Sequence, residues 1–248
     1  MSERRSLLFI FAHPDDESFS VAGSACRYAE EGVQLTLVTA TRGGKGKCGN
    51  PPACTAEELP RVREAELRAA AEIIGIKDVR VLDYKDRELA SAPVEEMRSQ
   101  LVRVLREARP QVVVTFDPHG ANLHPDHVAI SRFATDAISA AADPRWYREA
   151  GEAHSVSRLL WTTPRRFYEL ARMDNPGSEP GVDFLLDNRR WWKKKAEALR
   201  AHRSQNIQID ELFFNVADTE RVLSIEAFRD AWQTAPKESP RMDLFEGL

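Results

Sequence analysis

Short apolar runs recur along the first two-thirds of this chain, and a helix-length segment separates most of them. The runs are residues 6–12 (SLLFIFA), 34–39 (QLTLVT), 79–82 and 111–116 (QVVVTF). The first is continuously apolar, as expected of a strand buried on both faces of a parallel sheet. Helical character marks residues 18–31, stopped by Gly32, and 61–74, stopped by Gly75. It marks residues 94–108, halted near Pro110, and 126–142 in the same way. Strands alternating with helices imply βαβ units, so the expected class is α/β with a mostly parallel sheet.

After Pro144 the pattern weakens. Residues 158–163 read as a fifth strand and 189–203 as a helix, while 173–183 are polar with Pro and Gly and read as a loop. Residues 42–60 hold most of the local Gly and Pro and read as a long loop. There is no repeat, no low-complexity tract and no convincing linker. Residues 1–248 are therefore read as one domain, with the region after about 143 contributing loops to a substrate site. The longest stretch free of Asp, Glu, Lys and Arg is ten residues, far short of the ~20 that span a membrane. The apolar run at 7–12 is too short for a secretory signal, so a cytoplasmic protein is expected. Three cysteines are too few for a disulfide scaffold. A formal charge of -4 does not suit a protein that coats nucleic acid.

Two segments carry chemistry. Ala12-His13-Pro14-Asp15-Asp16-Glu17 follows the first strand, and His124-Pro125-Asp126-His127 follows the fourth. Both contain His-Pro-Asp, and both sit where a strand hands over to a helix, the edge at which open α/β sheets bind ligands. Imidazole and carboxylate are good ligands for a divalent first-row metal. His13 and Asp16, three apart on a helix-entering turn, can face one point, and His127 supplies a third ligand. Three protein ligands leave an open position for water, the pattern of catalytic zinc. Asp15 is then placed as general base. His124 could stabilise an oxyanion or protonate a leaving group as a cation, with Asp126 orienting it. Acids at a helix start could instead serve as caps. Two copies of the motif at equivalent positions are hard to explain that way.

On these residues the sequence resembles the PIG-L/LmbE-like family of zinc-dependent N-acetylglucosaminyl deacetylases. Thr41-Arg42-Gly43-Gly44, Arg63-Glu64-Ala65-Glu66-Leu67 and His202-Arg203-Ser204-Gln205 support the resemblance, which runs from about Leu7 to about Gln205. It implies a Rossmann-like three-layer fold and one zinc per subunit, or another divalent first-row metal, on His13, Asp16 and His127. It implies Asp15 as base, His124 with Asp126 at the oxyanion, and Arg63 on the sugar. The implied reaction is hydrolysis of the acetamide of an N-acetylglucosamine derivative. The alternative is a zinc amidase acting on another amide, such as a thiol-sugar conjugate. The implied partner is a small aminosugar, with no nucleic acid and no membrane; a homo-oligomer is possible. Tyr168 is a candidate proton donor. Relatives carry a Gly-Gly-Tyr-Gly-like stretch where this chain has Gly120-Ala121-Asn122-Leu123.

Two rival readings rest on weaker patterns. Gly44-Lys45-Gly46-Lys47-Cys48-Gly49 matches a dinucleotide fingerprint, but it follows the second strand and Pro51-Pro52 block a helix there. Residues 189–203 hold seven Lys or Arg against one Glu, with Trp191 and Trp192 among them. Such a segment can bind nucleic acid, although a solvated helix face is commoner.

Overall fold

The computed structural model describes residues 5–162, 167–232 and 240–248. Seven strands form one sheet: β1 (Ser6–Phe11), β2 (Gln34–Thr41), β3 (Asp78–Tyr84), β4 (Val112–Phe116), β5 (Arg158–Thr162), β6 (Phe184–Asp187) and β7 (Ile225–Asp230). Their order is β3-β2-β1-β4-β5-β7-β6. The first five are parallel, and β7 runs antiparallel to both β5 and β6. Every residue of β1 is buried. Leu7 lies opposite Leu35 on one side and Val112 on the other, so apolar residues meet across the centre of the sheet.

Helices cover the sheet: α1 (Asp16–Ser20), α2 (Ala22–Glu30), α3 (Leu59–Ile74), α4 (Val94–Ala108), the short distorted turn α5 (Gly120–Leu123), α6 (Pro125–Ala142), α7 (Phe167–Arg172) and α8 (Trp192–Ala201). Gly75 ends α3 at φ +98°, and a Cβ there would press on the Ala29 methyl. Pro60 sits in the first turn of α3, where a missing N–H costs nothing. The helix expected from residue 126 starts at Pro125, with His124 rather than Asp126 as its cap.

From β1 the chain steps outward through β2 to β3, then returns to β4 on the other side of β1. The carboxyl ends of β1 and β4 therefore flank the point where strand order reverses, which opens a crevice. The two His-Pro-Asp segments follow those two strands.

Strands β6 and β7 were not foreseen. In β7 the acids Glu226 and Asp230 point inward, each against a cation: Lys195 Nζ is 2.6 Å from Glu226, and Arg241 is 3.1 Å from Asp230. Buried pairs of this kind disguise a strand as a surface segment. The fifth strand stops at Thr162, and Thr163 lies outside the described residues. Of the basic segment 189–203, expected as one helix, Trp192–Ala201 form α8, and most of the segment's charge is already matched. Arg190 and Lys194 face Glu30, Arg189 faces Asp187, Lys195 faces Glu226 and Arg200 faces Asp210. No helix among the described residues is long and apolar enough to cross a membrane.

The three cysteines are free, Cys26 buried and Cys48 and Cys54 half-buried. Burial pushes the Cys26 thiol up to about 12, which leaves almost no thiolate at pH 8. Titration of the native protein with a maleimide should therefore label two thiols, the third reacting only on unfolding. Rapid labelling of all three would contradict this packing.

Candidate active site

The turn after β1 is closed by Asp16, whose Oδ2 accepts the N–H groups of Ala12 (3.1 Å) and His13 (2.8 Å). Its Oδ1 lies 3.3 Å from His127 Nε2. The His127 ring stacks on Phe116, centroids 4.0 Å apart, and its Nδ1 lies 3.1 Å from the Gly120 carbonyl. A carbonyl only accepts, so Nδ1 carries the proton and Nε2 presents a lone pair. His13 is oriented in the same way from its other nitrogen. Its Nε2 lies 3.2 Å from Asp86 Oδ1 and 3.2 Å from Asp126 Oδ2, while Nδ1 lies 3.2 Å from His127 Nε2. Asp16 Oδ2 is 3.6 Å from that Nδ1.

Two imidazole nitrogens and the Asp16 carboxylate thus meet at 3.2–3.6 Å. Tetrahedral coordination at ~2.0–2.1 Å requires donor spacings of about 3.3–3.4 Å. The donor set therefore fits a divalent first-row ion. Burial opposes charge on the His13 imidazole, yet Asp126, Asp16 and Asp86 outweigh burial and hold it well above its ordinary value.

Asp15 sits beside this cluster without joining it. Its backbone adopts φ 117°, a region costly for a side-chain-bearing residue. The strain is held from two sides. Its N–H donates to Glu17 Oε2 (3.1 Å), and Arg63 Nη2 donates to its Oδ2 (3.0 Å). Burial pushes the Asp15 carboxyl up to about 6, against the pull of Arg63 and with the push of Asp16. Glu17 is itself fixed by fully buried His202, 2.7 Å away. The same late segment ties Ser204 to Glu66 and Gln205 to the Lys47 carbonyl.

Three expected site residues make contacts that their place in the sequence did not show. Arg63, expected on the sugar, is buried in the cavity wall and donates to Asp15, to the Gly43 carbonyl (2.9 Å) and to the Pro14 carbonyl. It holds Asp15, and a Cβ at Gly43 would collide with it. The Asp126 carboxylate, expected to orient His124, turns instead to His13. It also accepts the N–H groups of Arg87 (2.6 Å) and Leu89 (3.1 Å). His124 Nδ1 accepts the Asp126 backbone N–H (3.2 Å), so its neutral form carries the proton on Nε2. Burial and then the imidazoles of His13 and His127 push His124 down from its ordinary value. Its ring lies 4.8 Å from both of the other imidazoles.

Asp86 was missed. Burial would raise its carboxyl, but His13 and then the Lys45 N–H hold it at about 2. The available signal was an acid just past the carboxyl end of β3, at the edge that binds ligands. His119, in the loop before the second motif, is exposed and pairs with Asp117. The side chain of Tyr168 lies outside the described residues. The Gly44–Gly49 loop opens no helix; α3 begins only at Leu59. Around the cluster lies a cavity of about 650 Å³ whose lining includes His13, Asp15, His124, Phe19, Leu170 and Leu212. That volume lies within the range of small-molecule sites.

Because Asp126 fixes a donor, Asp126→Asn should weaken metal binding by about 10–100-fold. Competition against a chromogenic chelator measures this, and an unchanged affinity would remove Asp126 from the site.

The family described as PIG-L: GlcNAc-PI de-N-acetylase matches residues 8–138. The 1D-myo-inositol 2-acetamido-2-deoxy-alpha-D-glucopyranoside deacetylase of Geodermatophilus obscurus is 33% identical, over 100% of this chain and 99% of its own. The probable N-acetyl-alpha-D-glucosaminyl L-malate deacetylase 2 of Bacillus anthracis is 36% identical, over 83% of each chain. Among solved structures, the N,N'-diacetylchitobiose deacetylase of Pyrococcus horikoshii superposes with a TM-score of 0.71. That pair is 22% identical, and the match covers 92% of this chain and 84% of the other, a likeness of fold.

Proposed function

This chain belongs to the PIG-L family, and from that premise we propose that it is a zinc-dependent deacetylase that hydrolyses the acetamide of an N-acetylglucosamine derivative. The observation that carries the reading is the meeting of His13 Nδ1, His127 Nε2 and the Asp16 carboxylate beside Asp15 in one cavity. His13, Asp16 and His127 would hold one zinc ion, which supplies a Lewis acid for the amide carbonyl and makes water acidic enough to react at neutral pH.

The chain's own residues do the rest. Asp15 takes a proton from the attacking water, whose oxygen bonds to the acetyl carbon. The Nε2–H of His124 donates to the carbonyl oxygen as it gains charge. Asp15 then delivers its proton to the sugar nitrogen, the C–N bond breaks, and acetate and the amine leave. Arg63 and Glu17 keep Asp15 in its strained conformation throughout. A carboxyl held at about 6 suits both halves of this proton transfer. The three free thiols fit a cytoplasmic location.

The test is amine release from N-acetylglucosamine conjugates, with metal content measured on the same sample. Activity should vanish with a chelator and return with zinc. Absence of both metal and chelator-sensitive activity would overturn the proposal.

A further inference from the structure

Five cations line the cavity: Lys45, Lys47, Arg63, Arg87 and Lys195. Two have partners. Arg63 holds Asp15 at 3.0 Å, and Lys195 holds Glu226 at 2.6 Å. Among the described residues, no carboxylate stands within 4.0 Å of the side chains of Lys45, Lys47 or Arg87. This contrasts with the basic segment 189–203, where five cations face acids, and with Arg42, which faces Glu64 and Asp83.

The three unmatched cations come from neighbouring places in the fold. Lys45 and Lys47 lie on the loop after β2, and Arg87 lies on the turn after β3. Their backbones are fastened to the site. The Lys45 N–H donates to Asp86 (2.7 Å) and the Arg87 N–H to Asp126 (2.6 Å), the two carboxylates that flank His13. The Lys47 carbonyl accepts from Gln205 (2.8 Å). The side chains are thus rooted at fixed points beside the reacting centre, while their heads reach water. Of the acids lining the cavity, only Glu211 lacks a cation or imidazole partner among the described residues, and it is carried by the C-terminal third. Three like charges at the mouth of a cleft attract an anion and speed its capture, and Arg can grip a carboxylate or phosphate with two donors.

We propose that Lys45, Lys47 and Arg87 form a subsite for an anionic aglycone, a carboxylate or phosphate carried on the N-acetylated sugar. The subsite rests on the deacetylase reading and specifies its substrate class. A charged aglycone would place its anion toward β2 and β3, with the acetamide left at the His13 cluster.

The experiment compares N-acetylglucosaminyl malate with its dimethyl ester, with N-acetylglucosamine 1-phosphate as a parallel arm, on the metal-loaded enzyme. The anionic conjugates should be preferred in kcat/KM by about tenfold, the scale of a few exposed charge pairs. The preference should shrink as salt is raised. In the variant Lys45→Ala/Lys47→Ala/Arg87→Ala the ratio of acid to ester should fall to near one. Preference for either anion bears the subsite out and identifies its chemistry. A ratio near one in the unaltered enzyme overturns it, as does a preference that survives the triple variant. If neither conjugate is turned over, the deacetylase reading fails. The charge preference is then read from calorimetric binding of acid and ester, where equal affinities overturn the subsite.

Discussion

Asp15→Asn should lower kcat by roughly 10²–10⁴-fold, the usual loss when a positioned acid–base group is removed, while bound metal stays at one per chain. Asparagine is the right replacement for three reasons. It tolerates a positive φ better than most residues, so the strained turn at φ 117° is kept. Its carbonyl oxygen can still accept from Arg63 Nη2, so the buried guanidinium keeps its partner. It cannot carry a proton from water to amine. Asp15 also lies outside the donor set, so its loss separates proton transfer from metal binding. KM should change little if Asp15 acts on the water and the departing nitrogen alone. Near-normal turnover in this variant would sink the assignment of the base. Loss of metal together with activity would instead place Asp15 among the ligands.

Much of this arrangement could be read before the fold was known, and the unread parts share a cause. Strands β1 and β4 are apolar because both faces are covered, so they show in the residue pattern itself. Their carboxyl ends then had to carry His13, Asp16 and His127 to one edge. What the pattern cannot show is which side chain turns to which neighbour across the sheet. Asp126 lies two residues from His124 in sequence, yet its carboxylate faces His13, which is 113 residues away. Asp86 reaches the same imidazole because β3 and β2 lie on one side of β1, a fact of strand order. Arg63 looked like a ligand-binding arginine; it lines the cavity, and its hydrogen bonds to Asp15 and two main-chain carbonyls were not legible from its neighbours in sequence. Strand β7 stayed hidden because Glu226 and Asp230 are inward-facing acids whose cations come from distant segments. Local residue types therefore reveal the donors, and tertiary pairing decides the supporting contacts.

The largest loss is expected from His127→Ala, which should empty the metal site and take kcat/KM below the level of Asp15→Asn. His13→Ala should do the same to the metal, but it is the less clean test. It strips the shared partner from Asp86 and Asp126, leaving two buried carboxylates without their imidazole, a change that can unfold a protein for reasons unrelated to metal. His127 makes fewer demands. Its ring stacks on Phe116, its Nδ1 meets the Gly120 carbonyl and its Nε2 faces one buried carboxylate, Asp16, which keeps the N–H groups of Ala12 and His13, so truncation removes one donor and leaves a void beside an aromatic ring. Two donors from a histidine and a carboxylate then remain where three met at 3.2–3.6 Å. Stability gives a readout independent of activity. A metal bound only by the folded chain stabilises it by ~2.7 kcal/mol at a hundred times its dissociation constant. Added zinc should therefore raise the melting temperature of the unaltered protein and leave that of His127→Ala nearly unmoved at the same concentration. A variant that still takes up one zinc per chain, with an undiminished thermal shift, would remove His127 from the donor set and shift the third position to His124, whose ring stands 4.8 Å from that of His13.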